Sequence, residues 1–158
     1  MRRDRFEQRS ILWRKRWENL KATEPRFVDL LAIARVLRVG FWISELPSNT
    51  LGVYMHAERR IWLDVDLAPR EMLSVLAHEV GHAVYQHPGP ADDPAQELEA
   101  DEWAASFLIR ADDWDTYIET YGGCTIPFLA DCFGVEEHLI RVQLERRKRE
   151  RLVHQAAA

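Results

Sequence analysis

Two hydrophobic rhythms alternate along the chain, and the change between them lays out its elements. Apolar side chains spaced by three and four residues mark amphipathic helices, because a helical turn takes 3.6 residues. Phe6, Leu12, Trp13, Trp17 and Leu20 give that spacing over residues 5–21, and Phe27, Leu30, Leu31, Ala34 and Leu37 repeat it over 27–38. Pro25 separates the two segments, and Gly40 reads as a stop signal just after the second. The rhythm then becomes twofold. Phe41–Glu45 is short, aromatic and β-branched. Leu51, Val53 and Met55 fall on one side of a second strand, and Ile61, Leu63 and Val65 on one side of a third. The Pro47-Ser48-Asn49 turn and the polar stretch His56–Arg60 separate these runs. Together they predict a small three-stranded antiparallel sheet.

Helical spacing returns at Pro69, a residue suited to a first helical turn, and runs to about Tyr85. His87-Pro88-Gly89-Pro90-Ala91-Asp92-Asp93-Pro94 cannot continue that helix and is read as a loop. Further helices are predicted over 95–110 and 112–121, with a break at Gly122-Gly123. Two more follow over 126–133 and 135–152, joined at Gly134. No repeat or low-complexity linker divides the chain. Residues 1–158 are therefore read as a single α+β domain, a small sheet packed on a helical majority. Within it, 1–26 is a basic helix, 27–121 the core, and 125–152 a helical pair with a basic tail.

Composition narrows the class. Apolar residues make up 47% and charged residues 30%, which excludes global disorder. No apolar run approaches the roughly 20 residues of a membrane span. The charged start Met1-Arg2-Arg3-Asp4-Arg5 leads into no signal-peptide core, so a cytoplasmic, unprocessed protein is expected. Cys124 and Cys132 read as small packing side chains, since no second cysteine pair accompanies them to build a zinc site. The net charge of −5 is uneven: residues 1–21 and 141–151 are basic, and the remainder is strongly acidic. Basic ends on an acidic body can meet an acidic partner or nucleic acid, or can be solvated helix faces.

The chemistry centres on His78-Glu79-Val80-Gly81-His82. Four residues is just over one turn, so both imidazoles leave one helix face at a separation that one zinc ion can bridge. Glu79 is rotated by about 100° from His78 and can reach a water on the metal. Zinc brings such a water's pKa towards about 7, and Glu79 is the expected general base. Leu73, Leu76, Val80 and Val84 form a core stripe on the other face. Gly81 costs about 1 kcal/mol in a helix interior relative to alanine, which makes sense where another backbone passes close by.

Zinc needs a third protein ligand, and Glu97-Leu98-Glu99-Ala100-Asp101-Glu102 offers candidates. On a helix Glu97 and Asp101 share a face, whereas Glu99 points roughly 200° away from Glu97. Glu97 is therefore the expected ligand. Asp101 is expected to accept a hydrogen bond from a ligand histidine, and Glu99 remains the alternative ligand. Donors for a tetrahedral oxyanion could come from Tyr85, His87, Tyr117, Tyr121 or His56, none of which has a motif behind it. His87 leaves the metal helix and could approach the site, but such a histidine is more often exposed. His138 and His154 read as surface residues.

A Glu followed four residues later by an Asp resembles the third-ligand helix of the gluzincin peptidases. The closer resemblance is to the ImmA/IrrE metallopeptidases. They join a helical start and a small sheet to a helix reading H-E-L-G-H and another of the type E-x-E-A-N-x-F-A-A-x-L-L-M-P. Here the second helix reads Glu97-Leu98-Glu99-Ala100-Asp101-Glu102-Trp103-Ala104-Ala105-Ser106-Phe107-Leu108-Ile109-Arg110, and the likeness spans roughly residues 27–145. Trp103 replaces the usual Phe and Ile109-Arg110 the usual Met-Pro, which alters packing and the helix exit but leaves the ligand set intact. The resemblance implies a zincin-like core holding one Zn2+. It also implies an endopeptidase acting on a regulatory protein, often a helix-turn-helix repressor, in a phage, mobile-element or stress setting. Some relatives act on the repressor by contact rather than by efficient turnover. An extended peptide could add to the strand nearest the zinc. Ala130, Gly134 and Ile140 also match a helix-turn-helix pattern ahead of the basic run Arg146-Arg147-Lys148-Arg149. That leaves direct DNA binding as a competing reading, against a helical pair that closes the core.

Overall fold

The structure, a computed structural model, describes residues 2–47, 49–88 and 93–157. Ser48 of the expected turn and residues 89–92 of the expected loop lie outside the described residues. Among those described, the chain order is α1 (Arg2–Thr23), α2 (Pro25–Val36), β1 (Gly40–Ser44), β2 (Gly52–Met55) and β3 (Arg60–Asp64), followed by α3 (Pro69–Tyr85) and α4 (Pro94–Leu108). Next come α5 (Ala111–Tyr121), α6 (Ile126–Phe133) and α7 (Glu137–Ala156). No helix among the described residues is long and apolar enough to cross a membrane.

Local chemistry explains most boundaries. Pro25 does more than interrupt: it occupies the first turn of α2, with the Glu24 side chain accepting the Arg26 N–H. Gly40 is not the stop of α2. The left-handed residue there is Arg38, at φ 58°, while Gly40 opens β1, where a Cβ would run into the Trp42 ring. Gly134 does end α6, at φ 61°. In α1, Trp13 and Leu20 are buried, whereas Leu12 faces solvent beside Ile11.

The sheet is mixed rather than antiparallel throughout. Its order is β1-β3-β2, with β3 antiparallel to β2 and parallel to β1. Each strand still runs opposite to the one before it. The Glu45–Leu51 crossover, however, sets β2 two strand spacings from β1, about 9–10 Å. The turn ending at Arg59 (φ 53°) then folds β3 into the gap. Asp64 pins the crossover by accepting the Leu46 N–H at 2.9 Å. The central strand buries Ile61 and Leu63 completely. Register puts Gly52 opposite Leu63 and Tyr54 opposite Ile61, so Tyr54 is the inward residue of β2. Leu51, Val53 and Met55 share the outer side instead, with Leu51 exposed.

Beneath this sheet lies α3, packed against β2, β3, α2 and most extensively α4. Phe27, Leu30 and Ala34 of α2 and Leu73, Leu76 and Val80 of α3 belong to one buried cluster with the sheet's inner face. The pair α6–α7 packs together, and α7 lies along α4.

Candidate metal centre

The site is built on the seam between α3 and α4. At Gly81 an added Cβ would lie 2.9 Å from the Ala100 carbonyl oxygen and 3.1 Å from its Cα. The two helices therefore meet backbone to backbone, which accounts for glycine in the middle of α3. With Ala100 on the contact line, Glu97 and Asp101 leave α4 on one flank and Glu99 on the other.

On the first flank three groups converge. His78 Nε2 and His82 Nε2 are 2.9 Å apart. Glu97 reaches across with Oε2 3.3 Å from the former and Oε1 3.4 Å from the latter. One ligand atom from each of the three lies within 4.8 Å of the others, as a single metal ion requires. Asp101 Oδ1 sits 2.8 Å from His78 Nδ1. A carboxylate can only accept, so His78 carries its proton on Nδ1 and presents a lone pair at Nε2. Two imidazole nitrogens and a carboxylate suit zinc, with tetrahedral N–N separations of about 3.3 Å.

Glu99 does not join this cluster directly. Its Oε2 lies 2.9 Å from His87 Nε2, and His87 Nδ1 lies 2.7 Å from His82 Nδ1. The chain reaches this position through a left-handed Gln86 (φ 58°) and a His87 N–H donated to the His82 carbonyl at 3.0 Å. His87 is buried, with the Tyr85 ring stacked on it at 5.7 Å. The expectation of an exposed His87 is thereby corrected, because the helix end folds it back against its own last turn.

Glu79 is 6% exposed and lies between α3 and β2. A Cβ at Gly52 would come within 3.1 Å of its Cγ and Oε1, so the glycine leaves room for the carboxyl group. Burial, aided by the Glu97 charge, pushes the Glu79 carboxyl up to about 7 against the pull of His78 and the Tyr54 amide. For His82, burial and then the charges of His78 and His87 bring the imidazole down to about 4, so it is neutral at neutral pH. Burial alone would lower His78 as well. The Asp101 hydrogen bond and the charges of Glu79, Asp101 and Glu97 outweigh it and raise the group. Burial likewise opposes the ionised Asp101, yet the nearby His138 and the hydrogen bond from His78 hold it well below the usual carboxylate range.

These groups line an open cleft whose opposite wall is β2. The Asp64 N–H donates to the Leu51 carbonyl at 2.9 Å, making that residue pair a hydrogen-bonded one. Alternation then directs the N–H and C=O of Gly52 and Tyr54 towards the free edge, beside Glu79.

Of the oxyanion candidates only His87 lines the cleft, and its two nitrogens face His82 and Glu99. Tyr117 and Tyr121 stack on each other in α5, and His56 pairs with the Tyr54 hydroxyl at 3.2 Å. His138 is exposed, as expected, and also lines the cleft, with Nε2 3.7 Å from Asp101 Oδ1. Neither His87 nor His138 belongs to a motif, and only tertiary structure brings them in.

Residues 36–145 match the family described as Peptidase_M78: IrrE N-terminal-like domain. No curated protein and no solved structure matches the chain.

Proposed function

The chain belongs to the Peptidase_M78 family, and on that premise we propose that it is a zinc-dependent endopeptidase acting on a regulatory protein such as a helix-turn-helix repressor. The observation that carries this reading is the convergence of His78, His82 and Glu97 beside the buried Glu79. His78, His82 and Glu97 would hold the ion, and Asp101 would orient His78. Zinc, when bound, supplies Lewis acidity for polarising a carbonyl and acidifying water.

The remaining work falls to the chain's own groups. Glu79 takes the proton of the attacking water and delivers it to the departing amine. The edge-facing backbone groups of Gly52 and the Tyr54 carbonyl hold the substrate as an added strand, which sets its peptide bonds across the cleft. The substrate is proposed as a repressor from the family resemblance of the two site helices.

The test is to incubate the protein with a candidate repressor, with and without zinc. The wild type is expected to give discrete fragments only with the metal. Glu79→Gln keeps zinc but loses roughly 10²- to 10⁴-fold in cleavage rate. A variant that still relieves repression fully would mean that contact, not hydrolysis, is the activity.

A further inference from the structure

His82 has a hydrogen-bonded support of its own, separate from the Asp101 arm. Glu99, acceptor-only when ionised, lies 2.9 Å from His87 Nε2 and so places that ring's proton there. With its proton held on Nε2 by Glu99, a neutral His87 ring offers the Nδ1 lone pair to His82 Nδ1, 2.7 Å away. An acceptor at that position calls for a donor opposite, so the His82 proton sits on Nδ1 and its Nε2 is left bare. Asp101 likewise holds a proton on Nδ1 of His78. The two arms start on opposite flanks of α4 and end on two nitrogens that point at one spot.

We propose that His87 and Glu99 are positioning residues that fix the tautomer and ring orientation of His82, so that an exposed carboxylate of α4 tunes the affinity of the centre for zinc. The proposal rests on the metal-binding part of the functional reading, and its tautomer readout is independent of it. Glu99 has 57% of its side chain exposed, so replacing it leaves the core packing untouched. His87 is enclosed and stacked on Tyr85, so His87→Phe keeps the ring while removing the acceptor for His82 and the donor to Glu99, and His87→Gln restores an acceptor.

Two measurements test the idea. The first is zinc affinity, by competition with a chromophoric chelator. His87→Phe is expected to weaken binding roughly 10- to 100-fold and Glu99→Ala by about 10-fold, with His87→Gln recovering most of the loss. The second is the tautomer of His82 in the metal-free protein, read from long-range 1H–15N couplings at neutral pH. The wild type is expected to show one form protonated on Nδ1, and His87→Phe and Glu99→Ala a mixture. A wild-type His82 protonated on Nε2 overturns the proposal. So do affinities within about twofold of wild type in both variants, given the effect such partners ordinarily have. Should the wild type bind no zinc, the peptidase reading falls, and the tautomer measurement alone decides the relay.

Discussion

At the scale of single residues, the buried carboxyl of Glu79 makes a signed prediction. Its pKa is 4.5 in a free chain and about 7 in the metal-free fold. Below 4.5 both states hold the proton, and burial carries no ionisation penalty. As pH rises towards 7 only the unfolded chain releases it, so stability is lost across that window and stays low above it. At 1.36 kcal/mol per unit the full penalty is about 3 kcal/mol. Glu79→Gln is therefore expected to exceed the wild type by up to that amount at pH 8 in chelator, with no advantage near pH 4. Urea unfolding at the two pH values checks it. His78 gives a second prediction. Its raised pKa means that a proton competes with the metal to a higher pH than at a free imidazole. Zinc affinity is expected to fall about tenfold per pH unit below that pKa, as chelator competition across pH would measure. The geometry of His78, Glu79 and His82 was legible because helical period alone dictates it. The place of His87 was not, because it depends on a left-handed turn at Gln86, a residue with no compositional bias towards that conformation.

Between elements, the α3–α4 seam carries the third prediction. At an ordinary helix position Gly→Ala gains about 1 kcal/mol. Here Gly81→Ala drives a methyl into the α4 backbone, and overpacking of this kind costs about 1–3 kcal/mol. Because Glu97 and Asp101 ride on α4, zinc affinity is expected to drop together with the melting temperature. A melt and a zinc titration on one preparation would show both. The need for a close neighbour at Gly81 could be read from its cost in a helix, and the bounds of α3 from Pro69 and the apolar stripe. Strand order could not. Alternation fixes which side chains share a face, so Ile61, Leu63 and Val65 came out inward. It says nothing of which strand lies in the middle, or that the Tyr54 face, and not that of Leu51, Val53 and Met55, turns inward. Glu99 shows the same limit: facing angles put it off the triad, and only His87, folding across, ties it to His82.

For the molecule as a whole, a metal held by His78, His82 and Glu97 would clamp α3 to α4, which otherwise meet through backbone packing and the His78–Asp101 hydrogen bond. Zinc at 100 times its dissociation constant would add about 2.7 kcal/mol. In a chain of this size that raises the melting temperature by roughly 5–10 °C, an effect that excess chelator should reverse in a thermal scan. Charge organisation supplies a last expectation. The basic run of α7 is engaged within the fold: Arg149 with Glu102, Arg147 with Asp115, and Lys148 with Glu145. Its pairs reach α4 and α5, which suits a helix closing the core, and a salt titration on duplex DNA is expected to show no counterion-dependent binding. The seam at Gly81 and Ala100 also has a bearing on ancestry. A side chain added at Gly81 presses on the Ala100 backbone, a clash that no substitution at Ala100 removes. A lineage that enlarges Gly81 must spread the helices, and spreading them carries Glu97 away from both histidines. The contact thus links inheritance of the fold to inheritance of the geometry that brings Glu97 to both histidines.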